Sequence, residues 1–175
     1  IPERQYYDGG IVRYIYIGER AFSGCTSLEA INFPNGVLEI WTEAFSGCSS
    51  LQSIVLPESV EMLYPGAFSG CTSLSSIILP NSIDIIYENT FKGCTALTNI
   101  DFPESIQYLY NFAFSGCTSL KTFNIPANLK EICRETFAGC TSLESLVIPN
   151  TITYLGKRAF MNCTSLESIT LSASL

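Results

Sequence analysis

The chain has 175 residues, 47% of them hydrophobic and 14% charged, which is enough material for one well-cored domain and excludes a disordered segment. A net charge of −7 argues against nucleic-acid binding, since a phosphate-binding surface needs clustered lysine and arginine to displace counterions. No stretch approaches the roughly 18 unbroken apolar residues of a membrane span, and no signal-peptide pattern is present, so membrane insertion is not expected.

Taken in chain order, residues 1–20 read as an irregular start. Residues 21–175 then read as regular repeats of 23 residues with an incomplete last copy, the whole forming a single domain over 1–175. The chain opens and closes mid-pattern, which reads as a fragment or processed form without its signal or anchor. Phe22, Phe45, Phe68, Phe91, Phe114, Phe137 and Phe160 stand in strict register. Three positions after each comes a cysteine, from Cys25 to Cys163, and three further on a leucine, from Leu28 to Leu166. Inward aliphatics or Phe follow at Ile31 and Phe33 and their equivalents, and then Pro34, Pro57, Pro80, Pro103, Pro126 and Pro149. Val37 and Ile40, with their equivalents, add two more apolar columns before an Ala or Thr precedes the next Phe. Such self-similarity is the signature of a solenoid built from one coil per repeat.

The elements of a coil follow from this spacing. The end of L-x-x-I-x-L-P alternates with period two, so it predicts a short strand with Ile31 and Phe33 facing inward. Proline cannot donate to a ladder, so Pro34 stops that strand, and the Pro-x-Ser pattern after it is turn chemistry. Val60-x-x-Leu63 and its equivalents run back along the other side as a candidate second strand. The period-three stretch Phe-x-Gly-Cys-x-x-Leu suits tight turns or a piece of 3₁₀-helix. Twenty-three residues are too few for two packed helices, and a proline in nearly every coil forbids one long helix. Parallel strands of successive coils should stack about 4.8 Å apart.

Written out, the coil L-x-x-I-x-L-P-x-S-V-x-x-L-x-x-x-A-F-S-G-C-T-S resembles the BspA-like (Treponema-type) leucine-rich repeat over residues 11–175. The resemblance implies a β-rich, right-handed leucine-rich-repeat superhelix with a parallel sheet on its concave side. It also implies a cell-surface or secreted adhesion protein that binds proteins of a host or of neighbouring cells. The sequence departs from the family's pattern at one column. Gly18 and Gly156 keep its glycine, whereas the middle coils carry Trp41, Tyr64, Tyr87, Tyr110 and Cys133.

Reactive chemistry has little to stand on. There is no histidine, hence no usual base for a Ser or Cys nucleophile, and the acids fall in different columns of different coils. The seven column cysteines point the same way from stacked coils, and parallel Cβ vectors about 4.8 Å apart lie beyond the usual disulfide range. They read as reduced, buried, inaccessible thiols, with Cys133 as the exposed exception. No two cysteines have zinc-site spacing. The Asn162-Cys163-Thr164 sequon includes a column cysteine expected to be buried, which argues against its use. The expectation is therefore a non-enzyme without cofactor or metal.

The informative block lies just before Ala-Phe, where residues change at nearly every coil while the core columns stay fixed. Trp41, Tyr64, Tyr87 and Tyr110 should form a contiguous exposed aromatic stripe, with Met62, Ile85, Tyr108 and Phe112 beside it. Such residues are the composition of interface hot spots. The glycines at 18 and 156 suggest that the scaffold does not require the aromatics, so removing them should cost little stability. Recognition of a protein ligand is the leading reading. A structural spacer or self-association module, and glycan binding through the same aromatics, are the alternatives, and the Ser/Thr-rich strand face is the runner-up surface.

Overall fold

A computed structural model describes residues 14–175, together with the backbone of two short strands, Gln5–Tyr7 (β1) and Gly10–Val12 (β2), which pair antiparallel. Much of the irregular start expected over residues 1–20 lies outside the described residues. Along the coils follow Ile15–Ile17 (β3), Val37–Ile40 (β4), Ser53–Val55 (β5), Met62–Leu63 (β6), Ser76–Ile78 (β7) and Ile85–Ile86 (β8). Tyr108–Leu109 (β9), Glu131–Ile132 (β10), Ser145–Val147 (β11), Tyr154–Leu155 (β12) and Ser168–Thr170 (β13) complete them. Among the described residues there is no helix.

Every pairing between coils is parallel and offset by one coil, as in Ile54↔Ile77, Leu63 with Ile40, and Leu146↔Ile169. The molecule is a parallel-sheet β-solenoid with two strand-bearing sides. β5–β7 and β11–β13 form one side, and β3–β4–β6, β8–β9 and β10–β12 form the other. The second side confirms the return strand expected at Val60-x-x-Leu63.

The expected first strand forms in only some coils, and the side chains explain which. Coils with aliphatics at both inward positions carry β5, β7, β11 and β13. The coils bearing Phe33, Phe102 and Phe123 have no named strand there, and only an isolated Ile78↔Asp101 bridge reaches one of them. A ring needs room that an aliphatic does not, and a close-packed coil answers extra volume with backbone shifts. Phe123 is wedged edge-on against Phe137, with ring centroids 4.5 Å apart, and also meets Phe114 and Phe102. A surface cavity of about 350 Å³ opens beside it between Asn124 and Val147.

The core runs the length of the array as stacked columns. Phe45, Phe68, Phe91, Phe114 and Phe137 are fully buried, and their rings form a continuous stack with Phe22 and Phe160 at its ends, 5.1–6.0 Å between successive centroids. Phe22 and Phe160 are only partly buried. Each inner ring thus has an aromatic neighbour on both faces, and the period-23 register of the sequence is what places it there.

Where turn or 3₁₀ was expected, the chain forms overlapping β-turns. In the second coil Ala44, Ser46, Cys48 and Leu51 donate their N–H groups to the carbonyls of Trp41, Glu43, Phe45 and Cys48, three residues back in each case. Gly47 takes the left-handed φ of 73° that such a turn demands at its third position. A second set of backbone bonds ties this corner to the next coil. Glu43, Phe45 and Gly47 donate to the carbonyls of Pro65, Ala67 and Ser69 at 3.0, 2.8 and 2.7 Å. Because main chain alone supplies this lattice, the side chains on the corner can vary without dissolving it.

Candidate functional site

The cysteine column is internal in the middle of the array. Cys48, Cys71, Cys94, Cys117 and Cys140 are buried, and all eight cysteines are free thiols. Each Sγ donates to the carbonyl of the phenylalanine one coil earlier. Cys71 reaches Phe45 O and Cys94 reaches Phe68 O at 3.2 Å. The same Phe45 carbonyl accepts the Cys48 N–H, so the thiol fills its second lone pair. Burial pushes the Cys71 and Cys140 thiols up to about 12, with the neighbouring thiols of the column adding to the effect. The expectation of seven inaccessible thiols is corrected at the ends, where Cys25 is exposed and Cys163 half-buried. Cys133 is half-buried rather than exposed. Its thiol is pushed up to about 11 by burial and then by the nearby Glu131 and Glu88 carboxylates. Among the described residues, no group of three or more Cys, Asp or Glu side chains is placed to hold a metal ion.

The aromatic stripe is contiguous. Ring contacts run from Tyr14 through Tyr16, Trp41, Tyr64 and Tyr87 to Tyr110, tilted between Tyr16 and Trp41, edge-on between Trp41 and Tyr64 and stacked elsewhere, with Tyr108 laid against Tyr110. Tyr64 and Tyr87 are nearly parallel, 6.1 Å between centroids and 8° between planes. Trp41 and Tyr108 are about 40% exposed, 41% and 40% respectively. Tyr64, Tyr87 and Tyr110 are half-buried because each ring covers its neighbours' faces, which leaves mainly edges and hydroxyls to solvent. Met62, Ile85 and Phe112 are likewise half-buried. The Trp41 indole N–H donates to the Glu39 carboxylate at 2.7 Å, fixing that ring. Desolvation raises the Tyr64, Tyr87 and Tyr110 phenols above their ordinary value, with nearby acids and phenols adding to it.

Two expectations about this stripe change. A Cβ on Gly156 would run into the carbonyl carbon and following amide of Cys133, whereas nothing stands within 4 Å of a Cβ on Gly18. At Gly156 the backbone has therefore closed into the space that a side chain fills in other coils. Gly156 is then no evidence that the aromatics can be removed cheaply, whereas Gly18, at the end of the array, stands in open space. Each ring pair contributes about 0.5–1.5 kcal/mol beyond area burial, so the stripe also supports the fold.

A second column was not anticipated. Arg20, Glu43, Gly66, Asn89, Phe112, Glu135 and Arg158, one per coil, all adopt left-handed φ between 53° and 68°. Only Gly66 and Asn89 are residue types that favour this region. The others form a ridge of interacting side chains. Arg20 Nε pairs with Glu43 at 2.6 Å, Arg134 and Arg158 converge on Glu135 at 3.0 and 3.8 Å, and Phe112 lies between Lys92 and Arg134 at 5.4 Å from each. The opposite strand side is less bland than its Ser/Thr content suggests. Val55, Ile78 and Val147 are exposed by 63%, 60% and 67%.

Comparison with known proteins fits this architecture. The model of the "BspA type Leucine rich repeat region (6 copies)" matches residues 13–87 and 61–175. No curated protein sequence matches the chain. Among solved structures, it is similar to a leucine-rich-repeat protein of T. pallidum at 29% identity and TM-score 0.80, covering 91% of this chain and 74% of that one. A leucine-rich-repeat protein of Eubacterium ventriosum is 26% identical with TM-score 0.74, covering 82% of this chain and 39% of that one. A leucine-rich cell surface protein of Faecalibacterium prausnitzii is 25% identical with TM-score 0.55, covering 89% and 56% of the two chains. The chain thus spans well under two thirds of the length of the last two. Its seven coils, its buried Phe and Cys columns and its match to the repeat model leave one conclusion: this chain belongs to the BspA-type leucine-rich-repeat family.

Proposed function

We propose that the chain is an adhesion module of a surface-exposed or secreted protein and that it recognises a protein ligand through the aromatic stripe. The observation that carries this reading is the unbroken ring ladder from Tyr14 to Tyr110, ending in the exposed Tyr108 and including the exposed Trp41. Rings already held by their neighbours lose little freedom on binding and present large amphipathic surfaces, which is why aromatics dominate hot spots. The surrounding columns vary from coil to coil, so the surface changes along its length while the scaffold does not. The similar leucine-rich protein of F. prausnitzii is a cell surface protein, which supports the same setting for this chain.

The test separates ladder from ligand. Binding to immobilised extracellular-matrix and cell-surface proteins is measured for Tyr64→Ala/Tyr87→Ala and for Tyr64→Phe/Tyr87→Phe, each normalised to folded protein. The alanine pair removes three ring contacts and should cost roughly 2–4 kcal/mol of stability and at least about 2 kcal/mol of affinity. The phenylalanine pair keeps the stack and should melt near the parent. Unchanged capture by the folded alanine pair would sink this reading. A second reading rests on Val55, Ile78 and Val147, whose exposure makes the strand side an alternative surface. Val55→Ser/Ile78→Ser then abolishes capture instead.

A further inference from the structure

We propose that the notch at Gly66 is a binding site for a neutral saccharide, separate from the aromatic stripe and independent of it. The left-handed column makes a ridge with a side chain in every coil except the third, and there a cavity of about 450 Å³ opens at the corner. That volume lies within the usual range of small-molecule sites. It is wider than one protein side chain fills, and no aromatic ring lines it.

The walls set the chemistry. Glu43 and Asn89, the ridge neighbours of Gly66 one coil before and one coil after, line it together with Thr42, Pro65, Ser69 and Lys92. Glu43 Oε2 is held by Arg20 at 2.6 Å, which fixes the carboxylate and leaves its other oxygen as an acceptor. The Lys92 ammonium is placed over the Phe112 ring, 5.4 Å from its centroid. The lining thus offers a fixed acceptor at Glu43, an ammonium donor on Lys92, an amide that does both at Asn89, the Thr42 hydroxyl that does both, and the Ser69 hydroxyl, which donates to the Lys92 carbonyl at 3.4 Å and keeps its oxygen as an acceptor. Glu43 is already paired with Arg20 and Lys92 lies over Phe112, so neither charge is left uncompensated to select an ionic ligand. What the lining offers is a set of hydrogen-bonding groups, which the alternating donors and acceptors of a neutral polyhydroxyl ring match. Pro65 offers the one apolar wall for a ring face.

Gly66 itself is the lever. A Cβ there would stand 3.1 Å from Glu43 Cγ, and any longer side chain projects into the cavity. The backbone tolerates such a residue, because Asn89 holds nearly the same φ in the next coil, 59° against 68°. Gly66→Asn therefore occupies the notch, with Glu43 Cγ displaced by a few tenths of an ångström and with the strain of a left-handed φ that Asn bears better than most side chains.

The experiment titrates the isotope-labelled chain with methyl hexosides and neutral disaccharides while following the Gly66, Gly70 and Gly93 amides by NMR. Saturable shifts confined to these residues are expected, weakened about tenfold or more in Gly66→Asn, the equivalent of about 1.4 kcal/mol. Lys92→Met, which removes the donor without touching the backbone, should weaken binding likewise and covers a Gly66→Asn that fails to fold. The Tyr64→Phe/Tyr87→Phe pair should bind saccharide as the parent does. Absence of saturable shifts for every neutral saccharide through the millimolar range overturns the proposal. So does equal binding by the folded Gly66→Asn, or a response only to charged sugars or peptides.

Discussion

Phe91→Ala tests whether the phenylalanine stack is the spine of this solenoid. Phe91 is fully buried, and its ring lies between Phe68 at 6.0 Å and 6° and Phe114 at 5.4 Å and 20°. Emptying a buried Phe site costs about 3–5 kcal/mol in transfer and cavity energy. Losing two ring pairs, at roughly 0.5–1.5 kcal/mol each, places this site at the upper end of that range. Collapse cannot recover much, because the inter-coil backbone bonds on the same corner hold the neighbouring coils in place. Phe91 donates its own N–H to Ala113 O at 2.9 Å. Phe160→Ala is the internal control. Phe160 is partly buried and stacks on a single ring, Phe137 at 5.6 Å, among the described residues, so it should cost about half as much. Urea unfolding followed by far-UV circular dichroism reads both, with the slope checked for an unchanged transition. Equal penalties at the two positions, or less than about 1 kcal/mol at Phe91, would refute a stack in which each ring depends on both neighbours.

Other outcomes follow from the same geometry. Thiol labelling of the native chain should modify Cys25 quickly and Cys133 slowly, the latter because its thiol is pushed up to about 11; the five buried column thiols should react only after unfolding, and fast labelling of any of them contradicts the coil packing. The Cys71 and Cys140 values of about 12 exceed the ordinary 9.0, so the folded chain retains protons that the unfolded chain releases. Stability should then be full below about pH 9 and fall as pH rises through about 9–12, and Cys71→Ala should flatten that fall in alkaline melting curves. Thr151 Oγ1 is the one buried side-chain polar atom among the described residues without a hydrogen bond, whereas Ser59 and Ser105 at the same place donate to Val37 O and Ile83 O at 2.8 and 2.6 Å. Thr151→Ser should gain about 0.5–1.5 kcal/mol, read as a raised melting temperature, and no gain would mean that the hydroxyl already finds water.

The solenoid was legible because its core repeats: a column at fixed spacing in every coil has one explanation, stacking. The return strands at Leu63 and its equivalents, the turn at each proline and the contiguity of Trp41, Tyr64, Tyr87 and Tyr110 all follow from that single fact. The broken strand side was also written in the sequence, in Phe33, Phe102 and Phe123, but reading these as apolar equivalents of Leu or Ile discards their volume. The exposure of Cys25 and the incomplete burial of Cys163 follow from their end positions, which a column-by-column reading treats like the middle. The left-handed column was not legible at all. Arg, Glu and Phe do not signal positive φ, and only Gly66 and Asn89 hint at it.

That column bears on where recognition can evolve in such a fold. Holding a non-glycine residue in left-handed φ costs roughly 1 kcal/mol or more. Five other coils accept the cost where glycine would serve the backbone better. The corner's repeating lattice is main chain to main chain, with side chains adding to it only locally, as where Asn111 Oδ1 accepts from the Arg134 N–H, so it makes few demands on the left-handed residues themselves. Core columns are fixed by packing against both neighbours, and strand positions by pairing across coils. The corner, with the aromatic stripe beside it, is held in place by the rest of the coil while making few demands on its own side chains. Variation concentrated there, at Arg20, Glu43, Gly66, Asn89 and Phe112, is what a scaffold permits and a binding surface uses.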